Sequence, residues 1–136
     1  MGLATEKSEA ETSDADVISL TVPAAMRFVR LARIAVASIA RRRGLSVRAI
    51  DDLRLAVDES FSILLLDGDH PGSVDVTFEV DSHELVVIMV QRIPDGPPPA
   101  SEEAVIAYEV VIADLVDRFE ADTAAGVVQF SKRLKK

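Results

Sequence analysis

Between Ser46 and Leu65, Ile50, Leu53, Val57, Phe61 and Leu64 recur every three or four residues. That spacing puts all five on one face of an α-helix, and Ser46 stands where a helix needs its N-cap. A helix with one apolar stripe has to bury it against a second layer, so the rest of the chain must supply a sheet or more helices. The same helix carries Asp51, Asp52, Asp58 and Glu59. The bland reading of the three aspartates is a solvated face plus first-turn charges that suit the helix dipole.

The flanking sequence supplies that layer. Residues 17–22 read as a short strand, and Pro23 suits the first turn of a helix. Residues 24–43 have helical spacing, with Met26, Phe28, Leu31, Ile34, Ala35 and Ile39 as the apolar face. Arg41, Arg42 and Arg43 complement the dipole in its last turn, and Gly44 suits the C′ position. After the second helix, Asp67-Gly68-Asp69 and Pro71-Gly72 are stop signals. Val74, Val76, Phe78 and Val80 then alternate with Asp75, Thr77 and Glu79, which gives a strand with one wet face. Residues 81–84 make a turn, and Leu85 to Val90 form a strand buried on at least one face. The prolines and glycine of residues 94–99 exclude regular structure. Ser101 caps a third helix with Val105, Tyr108, Val111, Ile112, Leu115 and Phe119 inward, and residues 127–134 form a last strand. The order β-α-α-β-β-α-β implies an α/β (α+β) two-layer sandwich, a mainly antiparallel sheet with helices on one face.

Composition narrows the chemistry. The chain has 136 residues, enough for one domain, and no cysteine, so disulfides, zinc thiolates and thiol nucleophiles are excluded. His70 and His83 each fall in a turn and point to no metal site. Residues 1–16 hold five acids against Lys7 and show no apolar period, so a disordered acidic tail is expected there and a single domain over 17–136. Lys132, Arg133, Lys135 and Lys136 make a basic tail. A net charge of −8 with one tyrosine, five phenylalanines and no tryptophan is a poor match to a phosphate backbone, so no direct nucleic-acid partner is expected. No apolar run is long enough to cross a bilayer and the start does not look like a secretory signal, so no membrane partner and a cytoplasmic location are expected.

The run Asp52-Leu53-Arg54-Leu55-Ala56-Val57-Asp58-Glu59 resembles the signature helix of the anti-sigma serine/threonine kinases, roughly D-L-R-x-A-V-x-E-x-x-x-N. Val22-Pro23-Ala24, the segment Ala32 to Ser38 and the closing Gly126 to Lys132 resemble other parts of that family in the same order. The resemblance implies the histidine-kinase-like ATPase fold. It also implies a sigma factor and a STAS-type anti-anti-sigma factor as partners, and a possible homodimer. In the family the glutamate assists phosphoryl transfer and the asparagine holds Mg²⁺ on ATP. Here Glu59 fills the first position as a vestigial general base, but Ile63 stands at the second, and it has no oxygen for a metal. By the simplest alignment the aspartate that recognises adenine falls on Arg92, Asp95-Gly96 replacing it only with a shift in alignment, and the glycine-rich lid is replaced by Pro97-Pro98-Pro99-Ala100-Ser101-Glu102-Glu103. Phosphates need glycine N–H groups and cations rather than carboxylates.

The expectation is therefore an anti-sigma factor that sequesters an alternative sigma factor and is released by partner switching. No catalytic residue, cofactor or metal is expected. Arg27, Arg30 and Arg33 recur every three residues on helix one and are the candidate partner contacts, with Arg33 matching the family's contact arginine best. The bland reading of this stripe is a solubilising face. The alternative is an active kinase that phosphorylates the anti-anti-sigma factor with ATP and Mg²⁺, in which Asp58 or Asp67 replaces the missing ligand. A decoy that binds only the antagonist is a weaker third reading.

Overall fold

The computed structural model describes residues 15–134. The acidic stretch over residues 1–14 and the last two lysines, parts of the expected tails, lie outside the described residues. The elements run β1 (Asp16–Ala25), α1 (Val29–Arg42), α2 (Val47–Leu65), β2 (Asp69–Val80), β3 (Glu84–Arg92), α3 (Glu102–Ala113), β4 (Arg118–Asp122) and β5 (Val127–Arg133), with a 3₁₀ turn, Met26–Phe28, before α1. The strands make one sheet in the order β1-β2-β3-β5-β4, and every neighbouring pair is antiparallel.

Alternation along the strands decides which face is covered. Val74, Val76, Phe78 and Val80 of β2, Leu85, Val87 and Met89 of β3, and Val128 and Phe130 of β5 are buried with the α2 stripe in one core. Thr77, Glu79 and Ile88, on the other face, stay partly or fully open. The result is the two-layer α+β sandwich expected, with the sheet mainly antiparallel. All five stripe residues of α2 are buried. Ser46 and Ser101 cap their helices as expected, accepting from the Ala49 and Ala104 N–H groups at 3.1 and 3.0 Å.

Several expectations are corrected. Pro23 is not in a helix: it lies in β1 opposite Ser73, next to a register shift, in an edge strand where a missing N–H is tolerated. The buried face of α1 is Val29, Ala32, Val36, Ala37 and Ala40, while Leu31 and Ile34 face solvent. Of the expected face, Met26, Phe28, Ala35 and Ile39 do pack against the core, partly buried, while small side chains on α1 let the helix lie close to the core. Pro71 and Gly72 belong to β2. Gly72 has φ +104, and a Cβ there would sit 2.1 Å from the Arg92 carbonyl oxygen, so only glycine fits. The third helix ends at Ala113, Val111 is exposed, and Phe119 lies in the extra strand β4, paired with Phe130.

Candidate functional site

The buried stripe of α2 fixes its rotation, and that rotation places Glu59, Ser62 and Ile63 toward α3. Together with Leu66 and Asp67, and with Ala104, Ala107, Tyr108 and Val111 from α3, they line an open groove of about 320 Å³. Ile63 is buried in its floor, where an aliphatic side chain stabilises the fold by about 1.5–3 kcal/mol. Asp58 lies five positions before Ile63, about 140° round the helix. It pairs instead with Arg33 of α1, Nη1 to Oδ1 at 2.7 Å. Of the two carboxylates considered as substitute ligands, only Asp67 reaches the groove, and it accepts a hydrogen bond from Ser62 Oγ at 2.7 Å. Larger clefts of about 650 and 670 Å³ lie beside β4 and β5, remote from the signature helix and rich in carboxylates.

Helix α3 is pinned over this groove. Tyr108 Oη and Ser60 Oγ are hydrogen-bonded at 2.9 Å in a buried environment. Burial pushes the phenol up to about 12, because the phenolate would lose its water; the bond to Ser60 opposes the shift, and the nearby Glu59 and Glu109 charges add to it. At its C-terminus α2 ends in two left-handed non-glycine residues, Leu66 (φ 49) and Asp67 (φ 59), and His70 Nε2 is hydrogen-bonded to the Leu65 carbonyl at 2.7 Å.

The residues that the resemblance aligns with a nucleotide site do not suit a nucleotide. The groove offers the carboxylates Glu59 and Asp67 and no cation. Arg92 is exposed and pairs across the strands with Asp75. That hydrogen bond, with a second from Thr21, holds the Asp75 carboxyl below the usual range. Gly96, at φ +90, is followed by three prolines, which carry no N–H. Glu102 and Glu103 occupy the first turn of α3, where a phosphate would seek positive charge. This donor set does not fit Mg-ATP.

The three arginines of the partner-contact stripe take different places. Steps of three residues drift by about 60° each on a helix, and Arg27 sits in the 3₁₀ turn before it. Arg27 lies over the Phe28 ring at 4.9 Å and pairs with Asp69 at 3.1 Å. Arg30 is exposed. Arg33 is turned toward α2 and half-buried against Asp58. Two linkages are absent from the sequence reading. Ser60 stands three residues after Val57 and four before Leu64, so its place in the buried stripe was available from spacing alone. Lys132 Nζ donates to the Leu115 carbonyl at 2.9 Å and lies 3.7 Å from Asp52, tying α2 to β5 and to the end of α3. No short-range pattern announces that contact.

No protein-family model matches the chain. It is similar to proteins named serine-protein kinase RsbW. The protein from Listeria innocua is 33% identical over 75 residues, covering 53% of this chain and 48% of that protein. One from Listeria monocytogenes shows the same identity and coverage. The protein from Oceanobacillus iheyensis is 26% identical over 83 residues, covering 59% of this chain and 52% of its own length. The chain thus spans about half the length of the curated relatives it matches.

Proposed function

We propose that this chain, a relative of the RsbW proteins over about half its length, is an anti-sigma factor with a histidine-kinase-like ATPase fold that works without nucleotide. It holds an alternative sigma factor and gives it up to a STAS-type anti-anti-sigma factor in the cytoplasm. The observation that carries the reading is Ile63, buried under α3 where the motif calls for a metal-holding asparagine. The misfit of Arg92 and the proline segment supports it independently. No helix among the described residues is long and apolar enough to cross a membrane. Competition for the α1 surface would make the two partners weaken each other reciprocally. With no phosphoryl transfer from this chain, the antagonist's state is set elsewhere, by another kinase or by abundance.

The test is a titration against the cognate sigma factor with and without Mg-ATP. Equal affinity in both is expected, and binding that appears only with Mg-ATP would overturn the reading. Arg30→Glu is the cleaner surface variant and should weaken binding. Arg33→Glu should weaken it too, but it also sets two carboxylates together beside Asp58, so its stability must be measured in parallel. The names of the relatives and the presence of Glu59 and Asp67 on one groove favour the second reading, an ATP-dependent serine kinase acting on the antagonist. Phosphate transfer to a STAS partner from purified components would establish that reading instead.

A further inference from the structure

Strand β3 departs from the alternation that β2 keeps. On the face of the sheet away from the helices β2 presents Asp75, Thr77 and Glu79, as a wetted strand does. In the middle of the sheet β3 presents Val86, Ile88 and Val90 on that face, all half-buried, while Leu85, Val87 and Met89 fill its core side. A strand apolar on both faces is ordinarily covered on both, yet the core that takes the helices lies on one side only. Two open clefts of about 650 and 450 Å³ share Glu79, Glu84 and Val86. One runs on to Arg118 and Glu120 of β4 and the other to Val17 of β1, so together they cross the whole sheet. Across five strands that run is about 19 Å, the length of about 13 residues of α-helix. Charge on the face is one-sided. Its arginines are already neutralised, Arg92 by Asp75 and Arg118 by Glu84. Among the described residues Glu79, Glu120 and Asp122 are in no ion pair.

We infer that this open sheet face docks an amphipathic helix with basic flanks, carried by another protein. The apolar stripe of that helix covers Val86, Ile88 and Val90, and its lysines or arginines meet Glu79, Glu120 and Asp122. A second copy of this chain does not suit the face, because stacking two such sheets sets unpaired carboxylates against unpaired carboxylates. Helix α1 packs on the opposite side of the sheet, so a partner held by α1 leaves this face open and the two surfaces can be occupied together. The inference therefore stands apart from the nucleotide question and from the arginines of α1.

The test titrates the isotope-labelled full chain, without sigma factor or nucleotide, with a synthetic peptide of about 13 residues whose leucines form one helical stripe between lysines. A control peptide has the same residues in an order that scatters the leucines round the helix. The striped peptide should bind, shift the amide resonances of β2, β3 and β5 rather than those of α1, and dissociate as salt is added. Glu79→Lys with Glu120→Lys, both at exposed positions, should weaken binding about tenfold. The same two reversals on α3, Glu103→Lys with Glu109→Lys, should leave it unchanged. Ile88→Lys should weaken binding while the rest of the amide spectrum stays in place. No binding of the striped peptide overturns the proposal. Equal binding of the two peptides, or equal loss in the α3 variant, overturns it too, because the chain's net charge alone would then be the attraction. Resonances of this face that shift when the chain alone is diluted would give the face to a second copy and overturn it as well.

Discussion

A single hydroxyl pair, Ser60 with Tyr108, joins α3 to the helix that carries Glu59 and Ile63. Tyr108→Phe removes one partner and leaves the other buried, which costs about 1–3 kcal/mol. Urea unfolding should show that loss, and an unchanged midpoint would mean that water or another group serves Ser60. Burial of the Tyr108 phenol sets the alkaline limit of the fold. The folded phenol titrates at about 12, above the roughly 10 of an unfolded tyrosine. A raised value of this kind contributes stability that is complete below the unfolded value and is lost as pH rises through the folded one. Stability should therefore fall between pH about 10 and about 12. Tyr108 is the only tyrosine in the chain, so phenolate absorbance reports this site alone, and titration near the ordinary value would show α3 already detached. At the other end of the groove, Leu66 sits at φ 49, a conformation that costs an ordinary residue about 1–2 kcal/mol. Leu66→Gly should raise the unfolding free energy by about 1 kcal/mol. No gain would mean that contacts of the leucine side chain already offset the strain.

At the scale of elements, the legible parts were those in which large apolar residues alone define the period. In α2 every residue of the five-membered stripe is buried, and β2 alternates as its sequence does. Helix α1 follows this reading only in part, with Ala35 and Ile39 packed against the core and Leu31 and Ile34 exposed, because two stripes compete on it. One is built of large residues, Leu31 and Ile34; the other, which the core uses, is largely alanine at 32, 37 and 40. Close approach of helix to sheet favours the small stripe, and that preference is a tertiary fact. Strand β4 was missed because Arg118-Phe119-Glu120-Ala121-Asp122 holds only two apolar residues and pairs with a partner later in the chain. Glu59 and Ile63 were legible from the motif, but the groove they share with α3 was not, since it depends on how two helices meet, and Arg92 does not line that groove. The choice of face on α1 can be tested directly. Ala32→Leu should destabilise by about 1–3 kcal/mol through overpacking, whereas Leu31→Ala should stay within about 0.5 kcal/mol. The reverse order in thermal or urea unfolding would mean that α1 is rotated from the face described.

For the whole molecule, the decisive property is whether folding and nucleotide are linked. A ligand that binds only the native state stabilises it by mass action, by about 2.7 kcal/mol when present at a hundred times its dissociation constant. In a domain of this size 1 kcal/mol moves the melting midpoint by roughly 2–8 °C, so even weak occupancy of a preformed site is visible. On the proposed reading three features oppose such a site, in three different elements: Ile63 in α2, Arg92 in β3 and the carboxylates that open α3. They do not share a partner, so repairing one leaves the other two. Mg-ATP should therefore leave the melting midpoint unchanged, both for the natural chain and for Ile63→Asn. That substitution should itself lower the midpoint, because it buries an amide at a cost of about 1–3 kcal/mol when unpaired. A midpoint that rises with Mg-ATP in the natural chain would mean that Glu59 and Asp67 hold the metal between them, and that the fold retains the linkage its sequence pattern argues against.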